Sequence, residues 1–338
     1  MAIEIVPVAT TTKTALKPGH GVIAVKATAA GSRISELSSA YPVKIISPKS
    51  SHDRRAVLAF ILSYGGGIVP GDRVTLSVQV DCGCRLGLLT QGSTKLYKTL
   101  DPKVVSVQTL KATVEDGAAL LMLPDPLQPF RDSVYEQRQV FHVHPNASLL
   151  LLDWISEGRR AMGEAWDLTS LKSMNEVWRL EDAPARTRGG PSRPGGGAAR
   201  PRLLIRDNVL LHASRPELLD SVRHHAGGMG VVGTLIAGGP MLGDLCRFLL
   251  GEFAALPRMG EIDWAAPSQE DGRKPQQQPA AGGPEVVWSA AATRGYTIVK
   301  FGAGDVDRAR RWLRGMLERE GTVAREFGSR FLMCLQDR

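Results

Sequence analysis

Three acidic residues stand beside strongly apolar sequence, and they are the groups of this chain best placed to do chemistry. Asp72 ends a glycine-rich turn, Asp153 follows four leucines, and Glu164 precedes an apolar segment that ends in tryptophan. A carboxylate in such surroundings must be paired, hydrogen-bonded or in contact with buried water. Oxygen ligands along a water-filled passage bind a divalent ion weakly and can hand it onward. The alternative is that the last two acids form structural ion pairs with Arg159 or Arg160.

Nucleophilic catalysis is a second possibility. Ser93 and Lys95 are two apart in an extended segment and therefore share a face, and a lysine can act as the base for a serine. The sequence offers no oxyanion donor, third orienting residue or nucleophile elbow around them. A structural or partner-facing role is therefore favoured. A β-rich hydrolase that uses Ser93, or the acids Asp153 and Glu164, is kept as the alternative function.

Two histidines and two cysteines have spacings that could suit a metal. His142 and His144 place two imidazoles on one strand face, a usable pair for nickel or zinc. A pair is not a site without further ligands, so exposed or hydrogen-bonded histidines are the preferred interpretation. Cys82 and Cys84 continue the apolar alternation of the residues before them, which favours core packing over metal binding. No tightly bound cofactor is expected.

The elements that position these residues are mainly strands. Residues 73–88 alternate between polar and apolar side chains, and period two over that length predicts an extended chain with one buried face. The glycines at 65–67 therefore join β-structure to β-structure. A phosphate-binding loop is rejected, because it needs a helix directly after its glycines. Leu149–Leu152 is a continuous apolar run that predicts a strand buried on both faces.

The last third of the chain has a different pattern. Met229–Ala237 and Tyr296–Phe301 predict strands, and Met241–Ala255 predicts an amphipathic helix. Asp305 is a suitable N-cap for a further helix over Val306–Glu320. This part of the chain is therefore predicted to be an α/β portion.

Two segments of biased composition interrupt these elements. Residues 183–202 hold five Arg, five Gly and four Pro, and residues 265–284 hold four Pro and three consecutive Gln. Neither can bury enough apolar area to order itself, so both are predicted to be disordered surface loops. The predicted organisation is a β-rich core over 1–182, an insertion at 183–202, and an α/β portion of the same unit over 203–338.

The charge balance and the hydropathy limit the kinds of partner. The net charge is +8, but the insertion at 183–202 carries five arginines and no acid, which leaves an ordinary +3 for the rest. Nucleic-acid binding through the arginines of this insertion is kept as a third possible function. Because the rest of the chain has an ordinary charge, no nucleic-acid partner is expected. No stretch approaches the ~20 apolar residues of a membrane helix, and no secretory signal is visible. The four cysteines form no disulfide framework, so the expected location is the cytoplasm.

Four motifs in order resemble those of the UreD (UreH) urease accessory proteins. Residues 88–98 (LLTQGSTKLYK) resemble the TTQ…TKVYR signature of that family, and residues 65–72 (GGGIVPGD) resemble its glycine turn. Residues 123–137 resemble its P-x-P-x-P segment and the Gln that follows. Residues 150–166 resemble its DW…GR…GE-x-W run. The resemblance is specific for about half of the chain.

The resemblance implies a fold and a set of partners. The implied fold is mainly β, a stacked-strand (β-helix-like) scaffold with a smaller C-terminal α/β portion. The implied function is that of a urease accessory protein, a metallochaperone scaffold without enzymatic activity. With UreF-like and UreG-like proteins it would deliver nickel to urease apoprotein, with nickel in transit rather than tightly bound. A homodimer within this complex is compatible with the resemblance.

The resemblance also implies an internal passage for nickel. Asp72 and Thr90 are placed in it by the motif match. Asp153 and Glu164 also match the motifs, and their place in the passage is inferred from their chemistry. These four residues are the predicted site.

Overall fold

Strands dominate the part of the chain that the structure describes. The computed structural model describes residues 16–48, 55–180, 201–213, 222, 226–256 and 286–336. In chain order the strands are β1 (His20–Thr28), β2 (Gly31–Ser39), β3 (Val43–Ile46), β4 (Val57–Ser63), β5 (Gly67–Ile68), β6 (Arg73–Val80), β7 (Arg85–Leu89), β8 (Thr94–Leu96), β9 (Ser106–Val114), β10 (Ala119–Met122), β11 (Leu127–Pro129), β12 (Val134–Val143), β13 (Ser148–Ser156), β14 (Ser170–Arg179), β15 (Arg202–His212), β16 (Val231–Gly238), β17 (Val286–Thr293) and β18 (Tyr296–Ala303).

These strands form two sheets. Within the described residues, the first sheet has the order β15-β14-β12-β9-β6-β1-β2, and the second has the order β17-β18-β16-β13-β10-β7-β4-β3 with β5, β8 and β11 at its side. The central strands of both sheets run parallel. Antiparallel strands complete the edges.

The chain alternates between the sheets as it builds them. The strands β6, β9, β12 and β14 belong to the first sheet, and the intervening β7, β10 and β13 belong to the second. Each pass adds a parallel strand beside the previous one, so the strands stack as they do in a β-helix. The prediction of a mainly β fold with stacked strands is confirmed.

The core has one layer between the sheets and another under the helices. The helices are α1 (Gly243–Ala254), α2 (Val306–Glu320) and α3 (Thr322–Glu326), with short 3-10 turns at Tyr64–Gly66, Arg160–Met162, Pro240–Leu242 and Ser329–Leu335. Strand β13 separates the two layers and is buried along its whole length. Leu149 and Leu151 pack between the sheets, whereas Leu150 and Leu152 pack under the helices. The burial of this leucine run on both faces is confirmed.

The C-terminal elements follow their sequence signals. Helix α2 begins where predicted, because the Asp305 side chain accepts a hydrogen bond from the Arg308 amide at 2.8 Å. The predicted strands near 229–237 and 296–301 are β16 and β18, and the helix predicted over 241–255 is α1. Strand β15 extends the first sheet, while β16, β17 and β18 extend the second. The C-terminal portion therefore continues both sheets.

The strand predicted without interruption over 73–88 is wrong at its middle. Strand β6 ends at Val80, residues 81–84 form a turn in which Gly83 has φ of 68°, and β7 begins at Arg85. Cys84 is buried, but Cys82 is exposed in this turn, so the prediction that both thiols pack in the core is wrong for Cys82. The turn is needed because the chain crosses here from one sheet to the other.

Some predictions fall on residues outside the described ranges. The loop predicted at 265–284 and the insertion up to residue 200 belong to this group. Arg202, the last residue of the predicted insertion, opens β15. Among the helices that the structure describes, none is long and apolar enough to span a membrane.

Candidate functional site

A cavity lined by both polar and apolar side chains lies between the two sheets. Its volume is about 60 Å³, which is room for several water molecules. The cavity is also lined by apolar residues, among them Leu88 and Trp154. Its polar side chains come from both sheets and from the loops beside them; they are Ser63, Thr90, Thr94, Gln108, Asp125, Gln137, Gln139 and Asp153.

Asp153 is the acid that enters the cavity from β13. It is 8% exposed, and its odd position on the strand directs it toward the first sheet. Its carboxylate accepts hydrogen bonds from Ser173 Oγ at 2.6 Å, Asn175 Nδ2 at 2.7 Å and Gln137 Nε2 at 3.3 Å. All three donors are neutral, and no arginine or lysine of the described ranges pairs with it. Burial raises the pKa of Asp153, and the three hydrogen bonds oppose this rise.

Asp125 is a second acid of the cavity wall, and the sequence analysis missed it. It is 2% exposed, and Arg310 of α2 donates to Oδ1 at 2.8 Å. Oδ2 accepts from the Gly92 amide at 2.8 Å and from Thr90 Oγ1 at 3.1 Å. The sequence contained a signal for this pair, because Asp125 stands among Leu and Pro. Arg310 lies on the buried face of its helix with Leu313 and Leu317. The argument applied to Asp153 was that a carboxylate beside apolar sequence must be paired, hydrogen-bonded or in contact with buried water. The same argument selects Asp125.

Thr90, one of the predicted passage residues, lines the cavity. Its hydroxyl donates to Asp125 Oδ2, and the Asp125 amide donates back to the same hydroxyl at 2.7 Å. Thr90 thus holds the loop after β7 against the loop before β11. Its hydrogen bonds fix the orientation of the Asp125 carboxylate in the wall.

Asp72 lies beside the cavity rather than in its wall. It occupies the turn between β5 and β6, and its carboxylate accepts a hydrogen bond from the Val69 amide at 3.0 Å. Ile68 and Val74, on either side of the turn, do line the cavity. Asp72 is therefore at the partly exposed rim of that wall.

Glu164 lies apart from the cavity and is ion-paired. It is 4% exposed, and Arg159 donates to both of its carboxylate oxygens, through Nη2 and through Nε at 3.0 Å. The Arg159 guanidinium also stacks on the Phe130 ring, with its carbon 4.0 Å from the ring centroid. The hydrogen bonds from Arg159 hold the pKa of Glu164 below its usual range. The ion-pair alternative raised for the two acids thus describes Glu164 and not Asp153.

The residues of the hydrolase alternative are not brought together. Ser93 is half-buried, its hydroxyl has no hydrogen-bond partner within the described residues, and Lys95 is exposed. Asp153 and Glu164 form no pair, because one faces the cavity and the other is held by Arg159. No base is therefore positioned against the serine hydroxyl in the part of the chain that the structure describes.

The histidine pair lies at the end of β12, as predicted. His144 is 3.0 Å from Asp116, and His142 is half-buried, with its pKa lowered by burial and by Lys111. Among the described residues, no group of three or more His, Cys, Asp or Glu side chains is arranged to hold a metal ion. A chelating site around His142 and His144 would need further ligands.

Comparison with known proteins points to one family. The family model of the UreD urease accessory protein matches residues 17–330. The chain is similar to the urease accessory protein D of Oryza sativa subsp. indica, with 39% identity over 166 residues that cover 48% of this chain and 54% of that protein. It thus spans about half the length of this relative.

Two further relatives are matched over more of their length. An uncharacterized urease accessory protein ureD-like of Schizosaccharomyces pombe is 32% identical over 281 residues, which cover 83% of this chain and 87% of that protein. The urease accessory protein UreD of Sorangium cellulosum is 30% identical over 305 residues, which cover 89% of this chain and 80% of that protein.

Proposed function

Because the chain belongs to the family of UreD urease accessory proteins, we propose that it acts in the maturation of urease. In this proposal it delivers nickel to urease apoprotein in the cytoplasm, together with UreF-like and UreG-like proteins. The relatives are named accessory proteins, and the proposed role is that of a scaffold without enzymatic activity. Nickel is the cargo of this scaffold and passes through it.

The cavity between the sheets, with the acids in its wall, is the observation that supports nickel transit. A transit path needs oxygen ligands that bind an ion without trapping it. Asp153 supplies a buried carboxylate that only neutral groups contact. Asp125 supplies a second carboxylate whose charge Arg310 already offsets. The wall therefore attracts a cation chiefly at one point, and the rest of the cavity provides water and neutral oxygens.

The four predicted residues take different parts in this proposal. Asp153 is the residue that contacts the ion, and Thr90 orients the wall around Asp125. Asp72, at the rim, is proposed to attract the ion toward the cavity. Glu164 is proposed to shape the loop after β13, because Arg159 holds its carboxylate there.

The test is complementation of a strain that lacks this chain. The wild-type chain and Asp153→Asn are compared, with Asp244→Asn as the control, because Asp244 is exposed on α1. Urease activity, the nickel content of urease and recovery of the accessory complex are measured in the same cells. We expect Asp153→Asn to preserve the complex and reduce nickel loading, while the control behaves as wild type.

Two results would contradict the proposal at different levels. Active, fully nickel-loaded urease in the deletion strain would remove the role in maturation. Normal nickel loading with Asp153→Asn would reject transit past this carboxylate and leave the role in maturation standing.

A further inference from the structure

The two sheets end unevenly on the side of β15 and β17. Strand β15 is the last described strand of the first sheet, and β17 is the last of the second. Lys300 Nζ of β18 donates to Asp207 Oδ1 of β15 at 2.6 Å, which places β18 opposite β15. Strand β17 lies one strand beyond β18. Within the described ranges, the first sheet is therefore one strand shorter than the second on this side.

The inner face of β17 is uncovered as a result. Ser289 is paired with Lys300, and directly paired residues of antiparallel strands share a face. Val287 and Ala291, two positions to either side of Ser289, therefore also face the side of the first sheet. All three are exposed, and Val287 is exposed to 60%. On the opposite face, Trp288 packs under the helices, so only the inner face lacks a described neighbour.

The edge of β15 carries backbone groups that can pair with a further strand. The Ala213 amide donates to the Thr169 carbonyl at 2.9 Å, and the direction of such bonds alternates along an antiparallel strand. Odd-numbered residues of β15 from 205 onward therefore bond toward β14. Even-numbered residues from 206 to 212 present their amides and carbonyls at the edge, where no described strand pairs with them. Strand β15 has 11 residues, whereas free edge strands are usually short or blocked.

The beginning of this edge is closed by a side chain. Arg294, in the turn between β17 and β18, donates through Nη1 to the Leu203 carbonyl at 3.1 Å and to the Leu204 carbonyl at 3.3 Å. The register of β15 shifts at this point. The open part of the edge therefore runs from Arg206 to His212, directly after the carbonyls that Arg294 contacts.

The charges around the open edge are mainly positive. Strands β14, β15, β17 and β18, with the turn that holds Arg294, contain more basic than acidic residues. The basic ones are Lys172, Arg179, Arg202, Arg206, Arg294 and Lys300, and the acids are Glu176 and Asp207. Both acids are paired, Glu176 with Arg138 and Arg206, and Asp207 with Lys300. The remaining positive charge favours an acidic partner.

We infer that the open edge of β15 binds an extended, acidic segment of a partner protein, which adds to the first sheet as a further strand opposite β17. Main-chain hydrogen bonds to residues 206–212 hold the segment, and its alternate side chains point toward Val287 and Ala291. Apolar side chains suit these inward positions, and acidic side chains suit the outward positions beside Arg206. This inference does not rest on the proposed function.

The overhang of β17 decides between a single strand and a second copy of this chain. Another copy would bring both of its sheets to the β15 edge. Its own β17 and β18 would then need the space that the overhanging β17 occupies. A single extended segment has one layer and fits beneath β17, so it is the occupant that the geometry favours.

The test uses a synthetic, fluorescein-labelled peptide of about eight residues, a length typical of a strand, in which Glu and Val alternate. Fluorescence anisotropy measures its binding to the purified full chain, and we expect saturable binding that weakens as the salt concentration rises. A peptide with Lys in place of Glu should bind about tenfold more weakly or worse. Two further peptides carry N-methyl groups, one on its Glu residues and the other on its Val residues. Edge pairing predicts that one of these binds like the parent and the other about tenfold more weakly, because only one loses the donors that face β15.

Two variants locate the peptide on the protein. Asn208→Pro removes an amide from the open edge without removing a bond to β14, and we expect it to weaken binding about tenfold. Asn208→Ala keeps the amide and is the matched control. Val287→Glu places a negative charge on the inner face of β17, and we expect it to weaken binding of the acidic peptide about tenfold. Leu100→Glu is its control, because Leu100 is 95% exposed between β8 and β9.

Several results would overturn the inference. They are no binding of the Glu-Val peptide to the wild type, equal binding of the two N-methylated peptides, and equal affinity of the wild type and a folded Asn208→Pro. If Asn208→Pro does not fold, the N-methylated peptides decide the question on the wild-type chain. Loss of binding with Val287→Glu but not with Asn208→Pro would place the peptide on the edge of β17 instead.

Other occupants of the edge give different results. A dimer of the unliganded chain in sedimentation velocity, abolished by Asn208→Pro, would show that a second copy occupies the edge and would overturn the inference. Peptide binding that appears only after deletion of residues 257–285 would assign the edge to this chain itself and would overturn it too. A monomer that binds the peptide without any deletion is the expected result.

Discussion

The interior around Asp153 and the turn around Glu164 both bury a carboxylate, but the two carboxylates have partners of different charge. Glu164 receives two hydrogen bonds from the guanidinium of Arg159, five residues earlier in the chain. Asp153 receives three from neutral side chains, and its pKa is raised where that of Glu164 is lowered. A carboxylate neutralised by arginine shapes its surroundings. A carboxylate that accepts hydrogen bonds only from neutral donors is not neutralised by a cation of the protein, so its charge is available to a bound ion.

Asp125 gives the comparison a third case. It lines the same cavity as Asp153, yet Arg310 pairs with it, and the Arg310 side chain is only 7% exposed. Position in the cavity wall does not therefore decide the role of an acid. The identity of its partner does, because a guanidinium cancels the charge that an ion would otherwise meet.

The largest expected effect follows from breaking the buried pair of Asp125. Arg310→Met leaves this carboxylate uncompensated, and we expect a loss of about 3–5 kcal/mol in the free energy of unfolding. Urea denaturation measures it. Arg314→Met on the same helix, where the pair with Glu318 is largely exposed, is the control and should cost about 0.3–0.5 kcal/mol. Similar losses for both variants would show that Asp125 is not a structural acid.

A smaller loss in the free energy of unfolding is expected when the Arg159–Glu164 ion pair is broken. Glu164→Gln removes the charge that Arg159 contacts, and the Arg159 side chain is 40% exposed. Water therefore solvates the guanidinium once its partner is neutral, which limits the cost to about 1 kcal/mol. Urea denaturation and complementation are measured together. If Glu164→Gln is stable but urease is not loaded with nickel, Glu164 takes part in nickel transit, as proposed for Asp153.

Asp153→Asn is expected to change stability by less than about 1 kcal/mol. The loss of hydrogen bonds to a charged acceptor is offset by the relief of burying a charge. The amides of Gln137 and Asn175 can also rotate to present their oxygens. The unfolding midpoint in urea should stay near that of the wild type while nickel loading falls. A loss as large as that of Arg310→Met would show that the charge of Asp153 is structural.

The smallest effect concerns pH. The folded pKa of Glu164 lies below its ordinary value of 4.5, so its ion pair contributes stability above that pH and loses it as the pH falls through the folded pKa. The difference in stability between the wild type and Glu164→Gln should therefore be constant above about pH 4.5 and shrink below it. Urea midpoints across this range measure it. A difference that persists in strong acid would mean that the carboxylate charge is not its source.

Much of the fold follows from local sequence. The leucine run at 149–152 specifies a doubly buried strand, and Asp305 with the apolar stripe after it specifies α2, because these patterns depend on neighbours a few residues apart. The strand break at 81–84 was missed, since Cys82 and Cys84 preserve the alternation through the turn. Only the crossing between sheets requires the chain to bend there.

The roles of the acids could not be read from the sequence in the same way. Asp153 and Glu164 stand 11 positions apart in similar apolar surroundings. The sequence by itself determined that buried carboxylates exist and which family motifs hold them. The tertiary structure decided that Glu164 meets Arg159, that Asp125 meets Arg310, and that Asp153 meets only neutral groups. The physical reason is that the effect of a charge depends on which groups lie within a few ångströms of it, and those groups come from strands distant in the chain.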